Sequence, residues 1–216
     1  SGWVSEQIGM AQAARSQDIA LRRKGITGVS EFPNLLEEKL VRLVPPVKKP
    51  RKAAAKPEVA IAPLLAQRYA EPFEALRDAT DEWQSQHGRM PRAFLTKLGT
   101  ASHFTARATF AKNFLEAGGI ETIDSDGFDD VDVAVAAFKA SGAKMAILCS
   151  SDKLYPELVP RLAAALKQAG ARSIVLAGNP GDHEPVWRTA GVDHFIFIKC
   201  DVLETLRALL RAEGVL

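Results

Sequence analysis

The sequence is poor in cysteine and in long apolar runs, and each of these absences excludes a class of protein. Its two cysteines, Cys149 and Cys200, are too few for a disulfide-stapled secreted fold, and they fit a reducing cytoplasm. Each stands at the end of an apolar run, which predicts a buried thiol rather than a disulfide or a metal site. No apolar run reaches the roughly 18 residues that a membrane span needs. The first ten residues lack the basic start and apolar core of a signal peptide, so we expect a cytoplasmic protein.

A large charge excess is also missing, since the formal net charge is only +2. This balance does not indicate a nucleic-acid or membrane partner, and we expect neither. The local exception is "KKPRKAAAK", residues 48–56, which we interpret as a basic linker, with nucleic-acid binding as the second reading. The GxxxxGK[ST], GxGxxG and HExxH patterns are absent, and so are paired-cysteine zinc patterns. The sequence therefore shows none of the common signatures of phosphate binding or zinc chemistry.

Composition divides the chain into parts before any function is considered. Residues 1–44 hold a helix-like run that Gly25 can end, followed by "ITGVSEF", which we interpret as a short strand. One helix and one strand cannot enclose a core, so this part must pack on something else. Residues 45–70 are rich in Pro, Lys and Ala and predict a linker, and residues 71–90 predict a helical lead-in.

From residue 91 onward, short apolar runs alternate with amphipathic helical runs, five of each. The apolar runs are continuous, as expected for strands that helices cover on both faces. We predict an α/β domain over residues 91–216, with a doubly wound sheet of five parallel strands in the flavodoxin-like order 2-1-3-4-5. Ligands of such folds bind at the carboxyl ends of the strands. The residues predicted to lie at that edge are His103, Ser150, Ser151, Gly178 and Lys199.

The first of these edge positions is a histidine in the predicted loop 99–106, "GTASHFTA". Its imidazole can coordinate a metal ion. A metal-bound histidine usually has a carboxylate partner that fixes its tautomer, but Ala101 stands two residues before His103, where an Asp would serve. The alternative is a loop histidine that hydrogen-bonds to the first helical turn or to solvent.

The loops after strands three and four carry the remaining polar candidates. Ser150 and Ser151 can hydrogen-bond to the edge of a cofactor, but we favour the alternative that Ser151 or Asp152 caps the next helix. The loop "LAGNPGDHEP" around Gly178 contains glycine without forming a phosphate-binding pattern. A receiver-like signalling domain would need an acidic pair after strand one, which this sequence lacks.

Several phrases of the sequence resemble the methylmalonyl-CoA mutase family. They are "GITGVSEFPNL", "AEPFEALRDATD", "HFTARATFAKNFLEAGGIE", "DGFDD" and "AAFKASGAKMAILCSSDKLYPE". Residues 92–214 are similar to the cobalamin-binding domain of that family, and residues 1–44 to the end of the TIM-barrel-like domain that precedes it. Within the family, the chain resembles most the small, non-catalytic subunit of the bacterial heterodimeric enzyme.

The resemblance also gives a reading of the edge residues. Cobalamin-binding members carry Asp-x-His-x-x-Gly in the first loop, and the histidine is the lower axial cobalt ligand. Here His103 matches that histidine, while Ala101 and Ala106 replace the Asp and the Gly. The other positions that match the family's cofactor site are Ser150, Ser151 and Gly178. Bulk is added at Phe104, Ala177 and the Cys200–Asp201 pair. The resemblance therefore implies a vestigial or weak cobalamin site.

The function implied by the resemblance is that of a structural subunit. The chain would bind no cofactor, perform no chemistry alone and pair as a heterodimer with a catalytic large subunit of propionate metabolism. That partner binds adenosylcobalamin and isomerises (R)-methylmalonyl-CoA to succinyl-CoA. The alternative is a functional cobalamin-binding domain of an adenosylcobalamin-dependent acyl-CoA mutase, with His103 as the axial cobalt ligand.

Overall fold

A parallel sheet between two layers of helices forms the centre of the protein. The computed structural model describes residues 2–37 and 68–216. The strands are β1 Arg92–Lys97, β2 Glu121–Ile123, β3 Met145–Cys149, β4 Ser173–Ala177 and β5 His194–Ile196. The helices are α1 Trp3–Ala20, α2 Glu71–His87, α3 Ala101–Glu116, α4 Val131–Ser141, α5 Tyr155–Gln168, α6 Glu184–Thr189 and α7 Val202–Glu213. A 3₁₀ turn, Gly181–His183, leads into α6.

The strand order is β2-β1-β3-β4-β5, and every pairing is parallel. The predicted flavodoxin-like topology is therefore confirmed. Of the three inner strands, β3 and β4 are buried at all of their positions, which explains why their sequences are apolar without alternation. The edge strands β2 and β5 have only three residues each.

Two apolar clusters cover the two faces of the sheet. Leu95 of β1 packs in one cluster with residues of α3 and α7, such as Phe114 and Leu206. Phe94, the neighbour of Leu95 on the strand, packs in the other cluster with residues of α4 and α5, including Phe138. This alternation follows from the opposite directions of successive side chains on a strand.

The segment before the sheet packs on the α/β unit. Ile19 near the end of α1 is buried in the same cluster as Leu203 of α7. The backbone N–H of Phe32 donates a hydrogen bond to the Asn113 side chain of α3, at 3.0 Å. The guanidinium carbon of Arg22 lies 5.5 Å from the centre of the Phe110 ring, also on α3. Residues 2–37 thus share a core with the sheet-covering helices, as their small size requires.

Two predictions for this segment are wrong. Helix α1 ends at Ala20 rather than near Gly25, because Arg22 adopts a left-handed backbone with φ 53° and pairs with Glu31 at 2.8 Å. The stretch "ITGVSEF" is a compact turn rather than a strand, since the backbone N–H groups of residues 29–31 all donate to the carbonyl of Ile26. The predicted linker spans residues 45–70, and its positions 45–67 lie outside the residues that the structure describes. Across the described part of the chain, no helix combines the length and apolarity that would let it cross a membrane.

Candidate functional site

The five residues predicted at the carboxyl edge of the sheet all follow a strand there, and Lys199 is the one that follows β5. His103 follows β1, Ser150 and Ser151 follow β3, and Gly178 follows β4. Because the sheet order changes direction between β1 and β3, the crevice between the loops after these two strands is the expected ligand position. Each candidate has its own set of contacts there, and these contacts decide what the edge can bind.

His103 lies in the first turn of a helix and not in a loop, which corrects the sequence-based placement. Helix α3 begins at Ala101 because Thr100, with extended backbone angles, serves as its N-cap. The backbone N–H of Thr100 donates to Nδ1 of His103 at 3.2 Å, and the two residues form a capping box. The imidazole therefore satisfies an otherwise unpaired group at the helix start.

This hydrogen bond favours one tautomer of the neutral ring, and Nδ1 also lies 3.1 Å from the Thr100 hydroxyl, which can donate or accept. A backbone N–H can only donate, so Nδ1 of His103 must accept, and the ring proton then resides on Nε2. A nitrogen that carries a proton offers no lone pair to a metal ion. The position for a carboxylate partner is occupied by Ala101, the exposed first residue of α3. His103 in this geometry is a capping residue.

Ser150 joins the two strands that flank the crevice. Its hydroxyl donates to the carbonyl oxygen of Leu98 at 2.9 Å, and the side chain is buried. Leu98 follows β1 and Ser150 follows β3, so this bond closes the base of the crevice from one wall to the other. Neither Ser151 nor Asp152 caps α5, contrary to our interpretation, because the residue at the N-cap is Leu154. The hydroxyl of Ser151 is buried without a hydrogen-bond partner.

An ion pair closes the crevice further out. Nη2 of Arg107 on α3 lies 2.8 Å from one carboxylate oxygen of Asp152 and 2.9 Å from the other. Asp152 belongs to the loop after β3, so the pair spans the same two walls as the bond between Ser150 and Leu98. Asp152 is thus a crevice residue rather than a helix cap.

Tyr155, the first residue of α5, fills the space between the ends of β3 and β4. Its side chain is buried, and its hydroxyl accepts a hydrogen bond from the Ser150 N–H at 3.0 Å. The same hydroxyl lies 2.8 Å from the carbonyl oxygen of Ala177 and 3.1 Å from that of Leu148. Burial raises the pKa of this phenol far above its usual range. Tyr155 therefore ties the end of β3 to the end of β4 at the carboxyl edge of the sheet.

Gly178 permits this arrangement. A β-carbon built on it would lie 3.1 Å from Cε2 of Tyr155 and 3.5 Å from a guanidinium nitrogen of Arg107. The glycine thus gives room to side chains of the chain itself. Sequence analysis missed both Tyr155 and Arg107. For Tyr155 a signal existed, because it stands on the apolar stripe of α5 together with Val159 and Leu162.

The side chains that were expected to crowd the cofactor position beside His103 lie elsewhere. Phe104 is buried in the core, with its ring 5.3 Å from the ammonium of Lys97, and does not line the crevice. Ala177 is buried within β4, and Asp201 caps α7 by accepting the backbone N–H of Glu204 at 2.8 Å. Arg107 and Asp152 bridge the mouth of the crevice between β1 and β3, and Tyr155 lies beside the crevice, between the ends of β3 and β4.

The chemistry available at this edge is limited. Burial raises the pKa of the Cys149 thiol to about 12, so the thiol is protonated at neutral pH. Both cysteines are free; Cys149 is buried, as predicted, whereas Cys200 is only partly buried. Over residues 2–37 and 68–216, no three His, Cys, Asp or Glu side chains gather closely enough to hold a metal ion. The described part of the edge offers neither an activated thiol nor a protein-built metal centre.

Fold and site together define a doubly wound α/β domain whose crevice at the carboxyl edge is bridged by its own side chains. No family model matches the sequence. The chain is 40% identical over 215 residues to the methylmalonyl-CoA mutase small subunit of Streptomyces virginiae, covering 100% of this chain and 32% of the relative. It is 33% identical over 212 residues to the small subunit of Porphyromonas gingivalis (98% and 33%), and 32% identical over 215 residues to that of Propionibacterium freudenreichii subsp. shermanii (98% and 31%).

The chain is therefore a homologue of methylmalonyl-CoA mutase small subunits, as the sequence phrases predicted. It spans about a third of the length of the curated relatives it matches. Among solved structures, it is similar to a cobalamin-binding protein from Desulfitobacterium hafniense DCB-2, with 22% identity and a TM-score of 0.46. That similarity covers 67% of this chain and 68% of the other. The fold assignment rests on the strand order and pairing of this chain.

Proposed function

We propose that this chain is a structural, non-catalytic part of a methylmalonyl-CoA mutase. In this proposal it supports a catalytic large subunit, which binds adenosylcobalamin and isomerises (R)-methylmalonyl-CoA to succinyl-CoA. The relatives, each named a small subunit of that mutase, support the assignment. The partner would be the large subunit, in a cytoplasmic heterodimer that involves neither nucleic acid nor membrane. Residues 1–44 would be the terminal segment of a barrel domain and residues 91–216 a cobalamin-binding-like domain.

The observation that carries the non-catalytic assignment is the set of contacts that bridge the carboxyl edge of the sheet. Tyr155 hydrogen-bonds to the ends of β3 and β4, and Arg107 pairs with Asp152 across the mouth between β1 and β3. Cobalamin would require His103 as the cobalt ligand, but its Nδ1 is held by the Thr100 N–H, which places the ring proton on Nε2. The residues of this edge therefore do not fit the cofactor in the geometry described, and no reaction step is assigned to them.

One observation favours the alternative of a working cobalamin site. His103 stands at the carboxyl edge of the sheet directly after β1, where the family's axial ligand is expected. Its Nε2 makes no hydrogen bond to any described residue. For this alternative to hold, the bond from the Thr100 N–H to Nδ1 would have to break so that Nδ1 carries the ring proton, and the Arg107–Asp152 pair would have to open.

A titration separates the two proposals. The purified chain is mixed with adenosylcobalamin, and the visible spectrum and the heat of mixing are followed. We expect no saturable binding at micromolar concentrations by the wild-type chain. Binding with a histidine-on spectrum that disappears in His103→Ala would establish the alternative instead. The Ser102→Ala variant is a matched control, because it changes a neighbouring side chain in the same turn and leaves the imidazole in place.

The partner is tested separately. The chain, carrying an affinity tag, is expressed together with the catalytic large subunit of a bacterial methylmalonyl-CoA mutase, and tagged complexes are recovered. We expect the large subunit to be retained, and mutase activity to depend on its own cofactor and not on His103. A large subunit that stays unbound, both to this chain and to a full-length small subunit that contains it, would contradict the structural assignment.

A further inference from the structure

The loop after β2 contains an Asp-Gly pair, Asp126 and Gly127. The loop sequence is "DSDGFDD", residues 124–130, and it leads from β2 to the start of α4. The fold requires the glycine, because Gly127 has φ 108° and a β-carbon built on it would lie 2.6 Å from Cε1 of the buried Phe104 ring. A residue with a side chain would be strained in this conformation. The backbone nitrogen that follows Asp126 therefore belongs to a residue without a β-carbon.

The loop is tied to the end of β1 on both sides of this pair. Before the pair, the hydroxyl of Ser125 donates to the carbonyl oxygen of Leu95 at 3.0 Å. After it, the N–H of Phe128 donates to the carbonyl oxygen of Lys97 at 2.9 Å. Asp126 lies between these anchors and is exposed. Among the residues that the structure describes, none pairs with its carboxylate and none accepts the N–H of the glycine. The two neighbouring groups are thus free to react with each other.

A carboxyl group next to a backbone amide reacts by ring closure. The nitrogen of Gly127 attacks Cγ of the protonated Asp126 carboxyl, so that a C–N bond forms. The C–OH bond breaks, and its hydroxyl leaves as water with the proton of the nitrogen. A second water molecule then adds to a carbonyl carbon of the five-membered succinimide and breaks one of its C–N bonds. Opening at the α-carbonyl leaves an isoaspartyl linkage, in which the main chain runs through the former side chain.

We propose that the Asp126–Gly127 pair is a site of spontaneous isoaspartate formation in the native chain. Water is the only co-reactant, and the water lost in the first step is regained in the second. The modified residue has the same mass as aspartate and carries its carboxylate on the α-carbon. The inference does not depend on the proposed function, since the reaction involves neither a partner nor a cofactor.

The same loop contains a second pair of this kind, which the structure protects. Asp124 precedes Ser125, whose small side chain also gives little hindrance to ring closure. Nζ of Lys97 lies 2.6 Å from the Asp124 carboxylate, and the Ser125 N–H donates to that carboxylate at 3.0 Å. Although partial burial acts in the opposite direction, these hydrogen bonds lower the pKa of Asp124. Because ring closure needs the protonated carboxyl, we expect Asp124 to react much more slowly than Asp126.

The experiment follows both positions in the native chain. The protein is incubated at pH 6 and 37 °C for several weeks and digested, and isoaspartate is located by mass spectrometry with electron-transfer dissociation. We expect isoaspartate at Asp126 to exceed that at Asp124 by at least about tenfold, since a hydrogen bond to a charged group is worth about that factor. The Asp126→Glu variant should lose the modification at position 126, because closure would need a six-membered ring, and should leave the level at Asp124 unchanged.

A sample aged in guanidinium chloride provides the reference. Unfolding removes the contacts between Lys97 and Asp124, so the excess of isoaspartate at Asp126 should shrink. Equal levels at the two positions in the native chain would overturn the proposal, since the described contacts would then have no effect. So would isoaspartate that forms at Asp126 in guanidinium chloride but not in the native chain, because the anchored loop would then prevent ring closure.

Discussion

Nη2 of Arg107 lies 2.8 Å and 2.9 Å from the two carboxylate oxygens of Asp152, and this pair bridges helix α3 and the loop after β3. The Asp152 side chain is 70% exposed and that of Arg107 is 30% exposed. Water and salt therefore screen the pair, although its position across the crevice is the one that a ligand would use.

Because the pair is exposed, its loss should cost little stability. We expect Arg107→Gln to lower the free energy of unfolding by less than about 1 kcal/mol, and the difference should shrink in 1 M salt. Urea-induced unfolding at low and high salt measures both effects. Arg161→Gln is a matched control, since Arg161 pairs with Asp132 at 2.8 Å on the outer surface. A loss of several kcal/mol at Arg107 alone would show that the pair is a buried structural bond.

The capping geometry of His103 predicts which substitutions it tolerates. Its side chain accepts the Thr100 N–H at the start of α3, a task that Gln performs well at the same helical position. We expect His103→Ala to lower the free energy of unfolding by about 0.5–1.5 kcal/mol, and His103→Gln to restore most of this loss. Chemical denaturation of the two variants measures the difference. Equal losses in both would contradict the capping assignment.

The fold could be predicted from the sequence because its signals are local. Continuous apolar runs mark the strands, and Gly142, the residue that ends α4, adopts a left-handed backbone with φ 68°. The start of α3 was misplaced because its cap pairs Thr100 with a histidine three residues later, whereas the familiar pattern has Glu or Gln there. The turn in "ITGVSEF" was misread because strand propensity needs a neighbouring strand to take effect.

The contacts that bridge the carboxyl edge could not be predicted in the same way. Arg107 and Asp152 are 45 residues apart, and Tyr155 meets Ala177 across 22 residues. Such contacts depend on which loops the sheet order brings together, and no local pattern reports them. The sequence did show that the usual cofactor residues are replaced, but the residues that fill their place are known only from the structure.

The two free thiols should react very differently. Burial raises the pKa of Cys149 to about 12, so only about 10⁻⁴ of it is thiolate at pH 8. Burial also raises the pKa of Cys200, which is only partly buried. We expect Ellman's reagent to label at most one thiol per native chain, and this thiol should be lost in Cys200→Ser. Both thiols should react in denaturant. Rapid labelling of native Cys200→Ser would contradict the buried assignment of Cys149.

Glu213 at the end of α7 should make stability depend on pH. Burial raises its pKa, and its Oε1 is buried without a hydrogen-bond partner. A carboxyl group whose pKa is raised by folding destabilises the folded chain only when it is ionised. This loss of stability is therefore absent well below the unfolded pKa of about 4.3. The loss grows as the pH rises from there through the folded pKa. We expect Glu213→Gln to be more stable than the wild type at pH 7.

The comparison at acid pH provides the control for Glu213. Unfolding curves of Glu213→Gln and wild type should converge at about pH 3, where the wild-type carboxyl is almost fully protonated in both states. A stabilisation that persists undiminished at that pH would show that the effect comes from packing and not from ionisation.

The phenol of Tyr155 gives a second pH test, because the structure determines both the residue involved and the direction in which stability changes with pH. Its hydroxyl accepts a hydrogen bond from the Ser150 N–H and lies 2.8 Å from the Ala177 carbonyl oxygen. Tyr155→Phe leaves these buried groups unpaired, so we expect it to lower the free energy of unfolding at pH 7 by about 1–3 kcal/mol.

Burial raises the folded pKa of the phenol above its unfolded value of about 10. The hydroxyl's contribution is therefore complete below pH 10 and is lost as the pH rises beyond it, since the unfolded chain then ionises first. The difference between wild type and Tyr155→Phe, measured by urea-induced unfolding from pH 7 to 11, should narrow above pH 10. All other ionisable groups are the same in both proteins and cancel in the comparison. A difference that stays constant up to pH 11 would mean that the Tyr155 hydroxyl ionises equally easily in the folded and unfolded chains, and would contradict its placement between the strand ends.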